Sequence, residues 1–221
     1  QIPKDNGDVR IVYVNENVDR IFLSIVNNLF FEMFPEFVHH SCKSYQTGIG
    51  CGRIVQEVSR QMVKVNNKIV GVKMDLTKYF DTVPIKYIDE IFDRMENKIG
   101  KSKIIDVVRK YYHTDWCFDI EGNLIQHYQS LKQGCSAASF LADAVLYHID
   151  RTISEMDVYY VRYSDDLLVV GRCWDEAFQI VKAMLKEMGM TLNPKKVETV
   201  CKDRWVKFLG FNIKGDMITL S

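Results

Sequence analysis

Residues 159–171, YYVRYSDDLLVVG, set two apolar runs around an abrupt polar turn, the pattern of a β-hairpin with Asp165 and Asp166 at its tip. Another apolar run, IVGVKMDL at 69–76, reads as a strand that ends on a further acid, Asp75, with the aromatic pair Tyr79 and Phe80 just beyond it. Elsewhere the apolar positions recur at helical spacing. Residues 17–34 form such a segment, stopped by Pro35; others run from near Arg53 to around Lys64, from Pro84 through Asp93, and from about Lys101 to Tyr112. Two more follow, a long apolar helix from about Ser136 to Ser154 and an amphipathic one from Asp175 to Met188, with Gly189 as its C-cap. Residues 116–130 read as a hairpin turning over 121–123, MTLNPKKVETV as extended chain, and 204–213 as a closing strand pair bent at Gly210. The order predicts an α+β layer fold, an antiparallel sheet with helices on one face.

The first residues, IPKDNGDVRIVYVN, place Lys4 before a turn over 5–7 and Arg10 on the returning strand. Two flexible cations on neighbouring strands could hold a polyphosphate. The loop SCKSYQTGIGCG lets backbone approach a partner closely, but its glycine spacing does not match a phosphate-binding loop followed by Lys and Ser or Thr. Gln133, Gly134 and the small residues after them likewise leave room for something to pass close to the backbone.

Paired carboxylates inside apolar strands repel one another and lose solvation, so a cation that pairs with Asp165, Asp166 and Asp75 is the economical explanation, and two strands ending in acids suggest a divalent-metal site. Composition sets the bounds. The 47% hydrophobic fraction excludes a largely disordered chain, and the formal charge of zero argues against a duplex-wrapping protein. Six irregularly spaced cysteines without a CxxC pair read as free thiols of a reducing compartment. No leader pattern and no apolar run near about eighteen residues is present, so neither secretion nor membrane spanning is expected. The chain starts directly in an apparent motif and stops soon after a strand, as an excised fragment would.

The segments KMDLTKYFDTV, LKQGCSAAS, RYSDDLLVVG, MTLNPKKVET and KFLGFNI resemble, in order, the palm motifs of reverse transcriptases of the group II intron, retron and related prokaryotic type, and IPKDNGDVRIV resembles the fingers motif before them. The resemblance implies a right-hand polymerase with partial fingers at 1–68 and a palm at 69–221, an insertion near 100–130, and no thumb. It implies RNA-directed DNA synthesis in a bacterial cytoplasm, with an RNA template, a DNA or RNA primer and deoxynucleoside triphosphates as partners, and two Mg²⁺ ions, or Mn²⁺ in their place. Asp75, Asp165 and Asp166 would then be the catalytic metal-site carboxylates. Because neighbouring side chains on a strand face opposite ways, Asp75 and Asp165 are expected as primary ligands, with Asp166 secondary and the Leu76 carbonyl contributing. Phe80 would lie under the nucleotide sugar, Lys4 and Arg10 at its phosphates, Gln133 and Gly134 in the primer-template and nucleotide pocket, Lys196 near the leaving phosphates, and residues 208–210 at the primer. Ala138-Ser139 stands where the family usually has Ser-Pro, which points to a divergent branch such as a phage-defence enzyme. The competing readings are an RNA-dependent RNA polymerase, which the bulk of Phe80 disfavours, and a catalytically silent scaffold, which would not need three costly acids.

Overall fold

The computed structural model describes residues 2–3, 9–10, 12–46, 48–127 and 129–221. Along the chain these form β1 (Ile2–Pro3), β2 (Val9–Arg10), α1 (Asn17–Met33), a 3-10 turn (Pro35–Phe37), α2 (Cys51–Lys64), β3 (Ile69–Asp75), α3 (Tyr79–Thr82), α4 (Ile85–Ile99) and α5 (Lys103–His113). There follow β4 (Trp116–Phe118), β5 (Leu124–Gln126), α6 (Ala138–Val145), α7 (Tyr147–Ser154), β6 (Val158–Tyr163), β7 (Asp166–Gly171), α8 (Trp174–Glu187), β8 (Glu198–Cys201), β9 (Val206–Phe208), β10 (Phe211–Lys214) and β11 (Met217–Leu220). The chain divides into two compact units, one of residues 1–38 with 78–145 and one of residues 39–77 with 146–221. Among the described residues, no helix is long and apolar enough to cross a membrane.

The first unit is mainly helical. Leu23, Val26 and Phe30 form the buried stripe of α1, and Phe30, Phe34, Phe37 and Phe140 gather their rings into an aromatic cluster. In α4, Ile88, Ile91, Phe92 and Met95 recur three and four residues apart, and α5 packs beside it through Ile105, Val108 and Tyr112. Arg109 of α5 ties the pair together by reaching Asp89, Asp93 and Glu96 of α4. Two small hairpins, β1–β2 and β4–β5, complete the unit.

The second unit is built on a four-stranded antiparallel sheet in the order β6-β7-β3-β8. One face carries Val161, Leu168 and Val170, which form a single core with Ile54, Val55, Val58 and Met62 of α2 and with Val206, Phe208 and Ile213 of a second sheet, β11-β10-β9. Val72, Met74, Leu167 and Val169 alternate with that set and turn to the other face, where α7 and α8 pack. Helices on one face only were expected. The structure has them on both, because α2 brings an apolar stripe of its own and the strands are apolar on both sides, as doubly covered strands must be. Strands β3 and β7 approach so closely that a Cβ on Gly71 would stand 2.0 Å from the carbonyl oxygen of Val169, which makes glycine the residue for that position.

The expected long helix at 136–154 is two helices, with Leu146 between them at φ −93° and ψ 9°. The helix expected to end at Asp93 continues to Ile99, and the closing strand pair gains a third strand, β11.

Candidate active site

Antiparallel register sets the geometry of the acids. Asp75, the last residue of β3, stands directly opposite Asp166, the first residue of β7, so both side chains leave the same face of the sheet with Cβ atoms about 5 Å apart. Asp165 lies in the two-residue turn between β6 and β7, and its backbone oxygen accepts a hydrogen bond from the Leu76 amide at 3.2 Å. All three carboxylates therefore occupy one end of one sheet, with Leu76 between them in backbone terms.

Their electrostatics follow from that crowding. Burial raises the Asp165 carboxyl above the usual range, and the charge of Asp75 raises it further. Burial also pushes Asp166 up to about 6; the cation of Lys73 opposes the shift, while Asp165 and Asp75 add to it. Lys196 answers part of this negative charge. Its Nζ donates to Oδ2 of Asp75 at 2.6 Å, and although burial pulls its ammonium down, the bond to Asp75 and the charges of all three acids leave it above the ordinary lysine value. The loop that carries Lys196 is held to the end of β3 by Thr77 N to Thr191 O (2.9 Å) and Asn193 N to Asp75 O (2.8 Å). Among the described residues, no group of three His, Cys, Asp or Glu side chains is closed around a metal-sized space. The register brings the acids to one place, and in this structure the cation at Asp75 is Lys196.

Behind the acidic turn lies a buried ion pair. Arg162 of β6 donates from Nε and Nη2 to the two carboxylate oxygens of Asp150 in α7, at 2.8 and 2.6 Å, and both side chains are fully buried. Tyr160 donates its hydroxyl to the same carboxylate at 2.8 Å. Nη1 of Arg162 reaches forward to the Ser164 carbonyl at 3.1 Å. Sequence reasoning passed over this pair. Its signal was a lone charge in each of two apolar runs, Arg162 in YYVRY and Asp150 in LYHID, of opposite sign.

Of the other expected residues, 208–210 lie in the second unit, where Phe208 is buried in the core and Leu209 and Gly210 are both left-handed; the rest belong to the first unit. Lys78 adopts the left-handed conformation at φ 45°, and the short helix α3 follows it. There Tyr79 turns inward, 1% exposed, with its hydroxyl on the carbonyl of Ala142 at 2.5 Å; Phe80, half-buried, meets it edge to face at 5.6 Å between ring centroids. An extended backbone was expected to face the two aromatics in opposite directions; a helical turn instead sets them about 100° apart, and their rings touch. The carbonyl of Gln133 accepts from the Tyr13 amide at 2.8 Å. Gly134 has φ +94°, and a Cβ there would stand 2.7 Å from the carbonyl of Tyr13. Lys132, just before, is also left-handed, and its Nζ caps the end of α5 by donating to the carbonyls of Tyr111 (2.6 Å) and Thr114 (2.7 Å). Backbone pairing joins Arg10 to Ile2. Lys4 and the turn at 5–7 lie outside the described residues.

With this geometry in view, the comparisons with known proteins place the chain. Residues 2–213 match the family described as reverse transcriptase (RNA-dependent DNA polymerase), and the chain belongs to that family. No curated protein matches it. Among solved structures it is similar to the telomerase of Candida albicans in complex with a TWJ fragment of telomeric RNA, at 16% identity and a TM-score of 0.60 over 92% of this chain and 37% of that one. It is also similar to apo telomerase from Candida tropicalis (13% identity, TM-score 0.62, 92% of this chain and 40% of that one). The same protein with the TWJ fragment gives 16% identity and a TM-score of 0.63, over 91% and 36% of the two chains. These likenesses show a shared fold, and the chain spans well under half the length of each. The expectation of a bacterial cytoplasmic protein runs against these comparisons, in which the solved structures named are fungal telomerases. The family match is to reverse transcriptases in general and does not extend to a group II intron or retron subtype.

Proposed function

We propose that this chain is the catalytic core of an RNA-directed DNA polymerase that joins a deoxynucleotide to a primer 3′-hydroxyl on an RNA template. The observation that carries the reading is the cross-strand pairing of Asp75 with Asp166, with Asp165 in the adjoining turn. The four-stranded sheet acts as the palm, and the fingers fall within residues 1–68.

The donor set suits Mg²⁺, a hard cation that takes carboxylate and carbonyl oxygens. Burial and mutual repulsion hold Asp165 and Asp166 above the usual carboxylate range, which is the electrostatic demand that a cation meets. Asp75, Asp165 and Asp166, with the Leu76 carbonyl, would hold it. When bound, a metal pair lowers the pKa of the attacking hydroxyl and neutralises charge on the leaving pyrophosphate. Lys196 holds Asp75 in place and is the cation positioned to pass from that carboxylate to substrate phosphate. Template identity is left to base pairing, so these residues need to recognise only the backbone and the triphosphate. Lys4 and Arg10 are assigned to the triphosphate, Phe80 to the sugar, and Gln133 and Gly134 to the pocket around the nucleotide.

Primer extension on an RNA template tests the reading. Asp75→Asn and Asp165→Asn should each lower kcat by at least about a hundredfold, roughly 2.7 kcal/mol of transition-state stabilisation, while the fold is retained by circular dichroism. Extension at the wild-type rate by either variant would refute it.

A further inference from the structure

The turn that carries Asp165 is unusual in its backbone. Ser164 has φ 56°, a left-handed conformation that costs a non-glycine residue on the order of 1–2 kcal/mol, so surrounding groups must hold it. Three of the polar backbone groups at the turn are held by neighbouring residues. The Ser164 amide donates to Oγ of Ser44 at 3.0 Å, the Ser164 carbonyl accepts from Nη1 of Arg162, and the Asp165 carbonyl accepts from the Leu76 amide. Arg162 is in turn fixed on every side. Its own amide donates to the Ser41 carbonyl at 3.0 Å, its carbonyl accepts from the Lys43 amide at 2.8 Å, and Asp150 grips its guanidinium in a fork.

A fully buried ion pair is a poor way to gain stability, because desolvation of both charges offsets their attraction and an apolar pair of similar volume often does as well. What an apolar pair cannot do is fix the direction of a carbonyl. The guanidinium spans that gap: two nitrogens on Asp150 set its plane, and the third donates to the peptide oxygen immediately before Asp165. The plane of that peptide decides where Asp165 and then Asp166 leave the backbone.

We propose that Arg162, oriented by Asp150, is a positioning residue that sets the Ser164–Asp165 peptide and so aims the two carboxylates. This rests on the polymerase reading only in what the carboxylates are aimed at.

The test compares wild type with two variants of the whole chain, Arg162→Lys and the double variant Arg162→Met with Asp150→Leu. Lysine can pair with Asp150 but lacks the fork that reaches the Ser164 carbonyl as well; the double variant removes both charges without leaving one unpaired. Two quantities are read: hydrogen exchange at the Ser164 and Leu76 amides, and Mn²⁺ binding by electron paramagnetic resonance without substrate. In Arg162→Lys, and in the double variant where it folds with the wild-type urea midpoint, both amides should exchange at least about tenfold faster while the rest of the sheet is unchanged, and Mn²⁺ should bind about 10- to 100-fold more weakly. Wild-type exchange at both amides in Arg162→Lys overturns the proposal, whether or not the double variant folds. Should wild type bind no Mn²⁺, or Asp75→Asn bind it equally well, the metal reading fails while the exchange result still decides the role of Arg162.

Discussion

At the scale of single residues, Asp166 and Phe80 carry separate expectations. Asp166 is held at about 6, above an unfolded value near 3.9, so between these limits the native state binds more protons than the unfolded one. Its contribution to stability is complete below about pH 4 and is lost as the pH rises through 6. Asp166→Asn should therefore stabilise the protein in the presence of a chelator at pH 7, by about 1 kcal/mol after allowance for solvent screening, and the gain should vanish near pH 4. Urea denaturation at a series of pH values reads this directly, and a gain that did not depend on pH would contradict the electrostatic origin. Phe80, set beside the inward-turned Tyr79, presents a rigid ring that excludes a 2′-hydroxyl by overlap if it lies under the sugar. Phe80→Val should shift incorporation toward ribonucleotides by at least about tenfold in the ratio of kcat/KM values, about 1.4 kcal/mol of discrimination. An unchanged ratio in an active variant would remove Phe80 from sugar selection, and a wild type that already favoured ribonucleotides would indicate RNA synthesis.

At the scale of elements, α5 ends against a buried lysine. Lys132 is 5% exposed and brings its ammonium to two terminal carbonyls of that helix, where a positive charge also suits the helix dipole. Lys132→Met keeps the length of the side chain but leaves those carbonyls short of a donor, so unfolding free energy should fall by about 1–3 kcal/mol. A denaturant midpoint equal to wild type would show that water replaces the ammonium at no cost. Lys132 precedes the expected pocket residues Gln133 and Gly134, yet nothing in the spacing of LKQG indicates a helix cap, because its partners lie about twenty residues upstream. The same limit explains what else was illegible. Asp75, Asp165 and Asp166 stood out because an acid in an apolar run is costly wherever it lies. Periodicity reports which face a residue takes and not which residue it meets, so the Arg162–Asp150 pair and the grip of Lys196 on Asp75 were invisible to it. The break at Leu146 escaped for a related reason: LADAVLYHIDRTI stays apolar across the break, and two short helices share one pattern with a single long one.

At the scale of the whole molecule, a ligand that binds only the folded chain must raise its melting temperature. If the three acids hold Mg²⁺, a concentration about 100 times its Kd adds roughly 2.7 kcal/mol, which for a chain of this size is about 5–10 °C. Thermal denaturation with Mg²⁺ and with a chelator should show the shift in wild type and lose most of it in Asp75→Asn. An equal shift in both would place the ion elsewhere. The strand order has a further consequence, for the time at which the sheet can exist. β3 sits inside the sheet between β7 and β8, yet it is made roughly ninety residues before β7 and roughly 120 before β8, a delay on the order of 5–20 s at ordinary rates of synthesis. Through that interval the largely apolar β3 segment lacks both of its neighbours, so a nascent chain that stalls between residues 76 and 165 leaves both edges open to mispairing and calls for a chaperone.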